Sequence, residues 1–237
     1  MGAGRHTVPA MAKRETFDPS RRALLVGGCA VATARAVTGA AAELPAHQAR
    51  RFDAPRFVAD CRAAAAGSDG QAAIQEVLAR ELADPASVLA GLGAPTRGGL
   101  KALYHSPELT ILNIVWAPLM QLLPHEHNMW ALIGIYTGRE DNIFWRRAGK
   151  HLTAVNATAI SPGAVVKLPH DVIHSVNNPI EKLTGAIHIY GGDFFSVHRS
   201  EWDSETLTER DWSIREAVRN FADSNARFLG AKDCRSG

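Results

Sequence analysis

Residues 120–138 read MQLLPHEHNMWALIGIYTG. Met120–Pro124 is a short apolar run, Leu132–Tyr136 is a second, and Thr137-Gly138 closes the segment as a turn. His125 and His127 stand between the runs. In a strand, residues i and i+2 share a face, so the two imidazoles point the same way and Glu126 points the other. Two imidazoles one pleat apart can reach a single metal ion. The same rhythm extends on both sides, through Leu109–Trp116, Asn142–Arg146, Leu152–Asn156, Ala164–Leu168, Ile173–Val176 and Leu183–Tyr190. Turn signals separate these runs: Ala148-Gly149, Ser161-Pro162-Gly163, Asn177-Asn178-Pro179 and Gly191-Gly192. About eight short strands between Leu100 and Val197 predict an all-β sandwich or barrel.

The flanks have a different period. Across residues 52–93, Ile74, Val77, Leu78 and Leu82 fall on one face of a helix, Asp84-Pro85 is a start signal, and Gly91 or Gly93 is a stop. Thr96–Gly99 reads as a linker. From about Thr208 to Leu229 the pattern is helical again, with Trp212, Val218, Phe221 and Phe228 available to dock it. The expected organisation is therefore a leader over 1–42, a helical segment over 43–99, a β barrel over 100–200 and a helical tail over 201–237.

The leader has export character. Ser20-Arg21-Arg22 is followed by Leu24-Leu25, by a weakly apolar stretch from Ala23 to Ala34, and by Ala40-Ala41-Ala42. This resembles a twin-arginine signal, which carries folded proteins to the periplasm. The alternative is an Ala-rich leader on a cytoplasmic protein. Composition narrows the function classes. The chain of 237 residues is 46% hydrophobic, with 26 Lys+Arg against 24 Asp+Glu and a net charge of +2. That balance argues against nucleic-acid binding through bulk charge. No run is long enough for a membrane span. Cys29, Cys61 and Cys234 form no CxxC, which argues against a cysteine-built zinc site. A disulfide between Cys61 and Cys234 cannot be inferred from spacing. Ten His are present, and those between His125 and His188 carry the chemistry.

Gly163, Pro169, Asp171, His174 and Asn178 stand as Gly-x5-Pro-x-Asp-x2-His-x3-Asn. This resembles the second motif of the cupin superfamily, with Asp171 where that motif usually has Gly. His125-x-His127 resembles the first, which Gly138 closes. Its opening Gly is replaced by Leu119, and Ala131 and Leu132 stand where its Glu ligand would be. The resemblance implies a mainly β protein, a cupin double-stranded β-helix or jelly-roll barrel, with an N-terminal helical segment and a C-terminal helix. The surviving ligand set is His125, His127 and His174. Three neutral imidazoles leave a divalent ion at its full charge, which favours an anionic co-ligand such as a thiolate or carboxylate. The same set can hold zinc with a bound water.

A further run, Ala186-Ile187-His188-Ile189-Tyr190-Gly191-Gly192, puts Ala186, His188 and Tyr190 on one strand face and both Ile on the other. Together with Trp130, Ile133–Tyr136 and Gly138-x-Glu140, the spacing resembles the cysteine dioxygenase family over roughly residues 100–200. The closer likeness is to the bacterial branch that includes 3-mercaptopropionate dioxygenase. These are three-His, non-haem iron thiol dioxygenases. The resemblance implies His125, His127 and His174 as Fe(II) ligands, and His188 and Tyr190 as two members of a Ser-His-Tyr triad whose Ser is Ala186 here. Leu132 stands near the position of the animal enzymes' crosslinking Cys, so no crosslink forms. The branch takes its anion-binding Arg nine residues after the Tyr, which is Arg199, with Arg146 and Arg147 as alternatives.

The implied reaction adds O2 to the sulfur of a small thiol. A three-His hydrolase, lyase or carbon–carbon-cleaving dioxygenase stays open, as does a non-catalytic cupin that binds a small anion. Trp116, Trp130 and Trp145 read as barrel core and rim, and His105, His151, His170 and His198 as surface or loop. Glu140 reads as a structural partner for a strand-end Arg. The sequence does not give the oligomeric state.

Overall fold

Asp53 starts the described chain's first helix, α1 (Ala54–Ala65), by accepting the Arg56 amide at 2.8 Å. After α2 (Gly70–Leu82), Asp84 accepts the Ser87 amide at 3.1 Å and opens α3 (Pro85–Leu92), which Gly93 ends at φ 87°. The expected Asp84-Pro85 start and Gly93 stop are both present. The computed structural model describes residues 51–149 and 151–233. The export signal read over 1–42, Cys29 and Cys234 lie outside the described residues. Cys61 is a buried free thiol, which burial pushes up to about 12. Among the described residues, no helix is long and apolar enough to cross a membrane.

The strands form two antiparallel sheets. In chain order they are β1 (Gly99–His105), β2 (Thr110–Trp116), β3 (Gln121–Glu126), β4 (Ala131–Thr137), β5 (Glu140–Ala148), β6 (His151–Ile160), β7 (Val165–Leu168), β8 (Ile173–Asn177), β9 (Thr184–Tyr190), β10 (Ser200–Trp202) and β11 (Glu209–Asp211). One sheet runs β1-β2-β9-β4-β7 and the other β11-β10-β3-β8-β5-β6. Their interleaved order is that of the cupin double-stranded β-helix that the motifs imply. The helix α4 (Ile214–Asp233) ends the described chain.

The central strands of the first sheet are buried on both faces, which is why they read as near-continuous apolar runs. Ile111, Leu132, Ile187 and Ile189 face the helices and pack with Phe57, Ile74, Leu78 and Leu82. Leu112, Ile114, Ile133, Ala186 and Tyr190 face the barrel interior with Met120 and Val176. The close seat of α2 on β4 needs Gly134: a Cβ there would stand 2.3 Å from Leu82 Cδ1.

Three strands differ from the expectation. β1 was read partly as linker; its mixed exposure and the bulge between Ala102 and Tyr104 blur the period of two. β10 and β11 have three residues each, too few to show a period. Pairing of residues 209–211 with 200–202 also moves the start of α4 from about Thr208 to Ile214. Phe221 docks that helix, whereas Val218 is 51% exposed.

Candidate metal centre

β3 pairs with β8 so that His125 stands opposite His174, both facing the interior. His127 follows just beyond β3, before a turn at Asn128 with φ 52°. The three side chains are buried, and each offers a ligand nitrogen within 4.8 Å of the others. His127 Nε2 lies 3.2 Å from His125 Nε2 and 3.2 Å from His174 Nε2. With metal–nitrogen bonds of about 2.0–2.1 Å, cis nitrogens stand about 3.0 Å apart at a right angle and about 3.4 Å at the tetrahedral angle. Both separations are those of two imidazoles sharing one metal ion, and His127 makes one with each of the other two histidines.

The outer hydrogen bonds set the tautomers the same way. His125 Nδ1 donates to Leu123 O at 2.8 Å, and His174 Nδ1 donates to Asn142 Oδ1 at 2.6 Å. Each leaves its Nε2 lone pair for a metal. Buried His127 Nδ1 has no hydrogen-bond partner among the described residues. Burial pulls His125 down to about 4, and burial with mutual repulsion holds His127 and His174 well below the ordinary histidine value. All three are therefore neutral near pH 7, the form that ligates. Glu126 points away, as its register predicts: it accepts the Ser200 amide at 3.2 Å and pairs with Arg147 at 3.2 Å.

His188 and Tyr190 project from β9 into the same cavity. His188 Nδ1 is 3.1 Å from the Tyr190 hydroxyl, and the Tyr190 ring meets His127 edge-on at 5.0 Å. Burial raises the Tyr190 phenol, so it stays protonated. Arg199 is 2% exposed rather than a solvated rim residue. Its guanidinium stacks on Trp212 at 3.6 Å and Phe194 at 4.3 Å, and Nη1 donates to Phe194 O at 2.6 Å. Nε and Nη2 are buried without a hydrogen-bond partner among the described residues. Burial pulls the group down to about 10. Arg146 and Arg147, the alternatives, are both exposed, and Arg147 pairs with Glu126 and Glu209. His105 and His198 pair with Asp193 and Asp211 at the surface, and His151 and His170 are also exposed.

A cavity of about 30 Å³ adjoins the three histidines, His188 and Tyr190, with Trp116, Phe194, Trp212 and Phe221 as aromatic walls. Ala217 and Phe221 of α4 close one side, and Phe221 stacks on Trp116 with ring centres 5.5 Å apart. The sequence expectation for Glu140 is corrected here. It is fully buried and, among the described residues, pairs with no arginine; its carboxylate accepts from Trp116 Nε1 at 2.6 Å and Asn142 Nδ2 at 2.9 Å. Asn142 was not singled out either. The signal for both was present: two polar residues at i and i+2 on the inner face of β5.

No protein-family model matches the chain. Solved structures similar to it include an RmlC-like cupin family protein with a double-stranded β-helix fold from Methanocaldococcus jannaschii. It is 14% identical over 43% of this chain and 85% of that one, with a TM-score of 0.36. A cupin superfamily protein from Desulfitobacterium hafniense is 17% identical over 43% of this chain and 83% of its own, with a TM-score of 0.35. A variant of Bacillus subtilis oxalate decarboxylase is 15% identical over 43% of this chain and 27% of its own, with a TM-score of 0.35. The chemistry of the site rests on its own side chains, not on these neighbours: a cupin barrel with a buried three-histidine cluster able to hold a metal ion.

Proposed function

We propose that the protein is a non-haem Fe(II) thiol dioxygenase that adds O2 to the sulfur of a small anionic thiol. The conversion RS⁻ + O2 → RSO2⁻ balances without a further reductant. One observation carries the reading: a small, largely apolar cavity joins three neutral imidazoles, and the buried Arg199 guanidinium, with N–H groups unpaired among the described residues, packs against Phe194 and Trp212 of its wall. A bound Fe(II) would supply open coordination positions where thiolate and O2 meet. His125, His127 and His174 would hold it without neutralising its charge, which favours an anionic sulfur. Arg199 would bind the anionic end of the substrate, since its unpaired nitrogens gain most from a charged acceptor. Tyr190 would donate its hydroxyl to the substrate or to the oxygen it receives, with His188 orienting it. The aromatic walls exclude water from the thiolate. Export through the twin-arginine segment is part of this proposal.

The test is oxygen uptake by Fe(II)-loaded protein across a panel of small thiols, with His174→Ala as control. The expected result is thiol-dependent uptake and a sulfinate product, both lost in the variant along with bound iron. Absence of uptake with every thiol overturns the assignment and directs attention to another metal, another substrate class or a binding role.

A further inference from the structure

His188 Nδ1 faces the Tyr190 hydroxyl, and the other nitrogen of the ring faces β5. His188 Nε2 lies 3.4 Å from Glu140 Oε2, the only carboxylate in ion-pair contact with it among the described residues. The contact is long for a hydrogen bond, and Nε2 makes none of ordinary geometry. The same Oε2 accepts from Trp116 Nε1, while Oε1 accepts from Asn142 Nδ2 at 2.9 Å. Asn142 Oδ1 in turn accepts from His174 Nδ1 at 2.6 Å. One fully buried carboxylate thus touches the network on both sides of the cavity. Burial opposes its charge, but His188, Asn142 and Trp116 together hold it below the ordinary glutamate value.

The donor count explains why a carboxylate is needed. Trp116 Nε1 can only donate. The Asn142 amide must present its oxygen to His174 Nδ1–H, so its nitrogen must find an acceptor on the other side. Glu140 is acceptor-only and satisfies both. We propose that Glu140 is a positioning residue: through Asn142 it fixes the His174 tautomer that frees Nε2 for a metal ion. This rests on the metal-centre reading of the cavity, but on no particular substrate.

A glutamine at 140 keeps the shape and breaks the donor pattern. If its oxygen serves Trp116, its NH2 faces the Asn142 NH2. Relief requires the Asn142 amide to flip, which turns its NH2 to His174 Nδ1 and moves the ring proton to Nε2, where a metal must bind. Glu140→Gln is therefore expected to weaken Co(II) binding by about 10–100-fold, the usual effect of losing a group that orients a metal ligand. Adding Asn142→Asp restores a consistent chain: the glutamine NH2 donates to the new carboxylate, which again accepts from His174 Nδ1–H. The double variant is expected to regain most of the Co(II) affinity and its visible absorption spectrum. Selective 15N-histidine NMR should report the His174 tautomer reversing in the single variant and returning in the double.

A purely structural role predicts additive loss and no rescue. Tight Co(II) binding by Glu140→Gln overturns the proposal, and so does a double variant that fails to recover, whether by not folding or by not binding. Failure of the unsubstituted protein to bind Co(II) overturns the metal-centre reading itself, a result distinguishable from either.

Discussion

Leu119 adopts φ 56°, a left-handed backbone conformation that side chains with a Cβ enter at a cost of about 1–2 kcal/mol. It is the position at which the first cupin motif carries its opening glycine, and its side chain is 58% exposed. Little packing is lost by removing it. Leu119→Gly is expected to raise stability by about 0.5–1 kcal/mol, the strain relieved less the extra entropy of an unfolded glycine. A denaturant midpoint that stays put or falls would contradict this. The departure from the motif was visible in the sequence; the torsion angle that gives it meaning was not. The opposite held for Arg199. Its position follows from a resemblance, whereas its burial comes from Phe194 in the loop between β9 and β10 and Trp212 just after β11.

Elements explain which residues were legible. β9 was readable because both its faces are apolar except for His188 and Tyr190, which share one side. β5 was only half readable. Its outer half carries Arg146 and Arg147 at the surface, and its inner half buries Glu140 and Asn142. Charge made Glu140 look like a surface partner, although its i, i+2 spacing with Asn142 put both on one strand face. The seat of α2 on β4 gives a direct test of the helix-on-sheet packing. Gly134→Ala would place a methyl against the ends of Leu82 and Leu78. Because those are side-chain ends that can shift, the expected cost is about 1–3 kcal/mol rather than loss of the fold. An unchanged thermal midpoint would mean that α2 does not rest on β4 this closely.

At the scale of the molecule, the barrel stores an acid sensitivity. Metal-free His125 is held down to about 4, and His127 and His174 are also depressed. In the unfolded chain each titrates near about 6.5. Below that value the unfolded chain takes up protons that the folded barrel refuses. Stability is therefore full above about pH 6.5 and falls toward about pH 4, by up to about 1.4 kcal/mol per pH unit for each histidine. The metal-free protein should show a thermal midpoint that drops between about pH 7 and pH 5. Added Zn(II) should raise the midpoint at pH 7 and do so less at pH 5, where protons compete for the same nitrogens. A midpoint flat across that range would mean that the histidines are solvated.

The sequence by itself determined the β architecture between its helical flanks, the shared face of His125 and His127, and the pairing of His188 with Tyr190, because all three follow from the period of two along a strand. Only the tertiary structure decided that His174 stands opposite His125 across β3 and β8, that Arg199 is buried, and that Glu140 lies between His188 and Asn142. Those facts depend on which strands become neighbours and on what α4 and the β9–β10 loop cover. Burial and cross-strand distance are set by the closed barrel as a whole, and no local run of sequence encodes them.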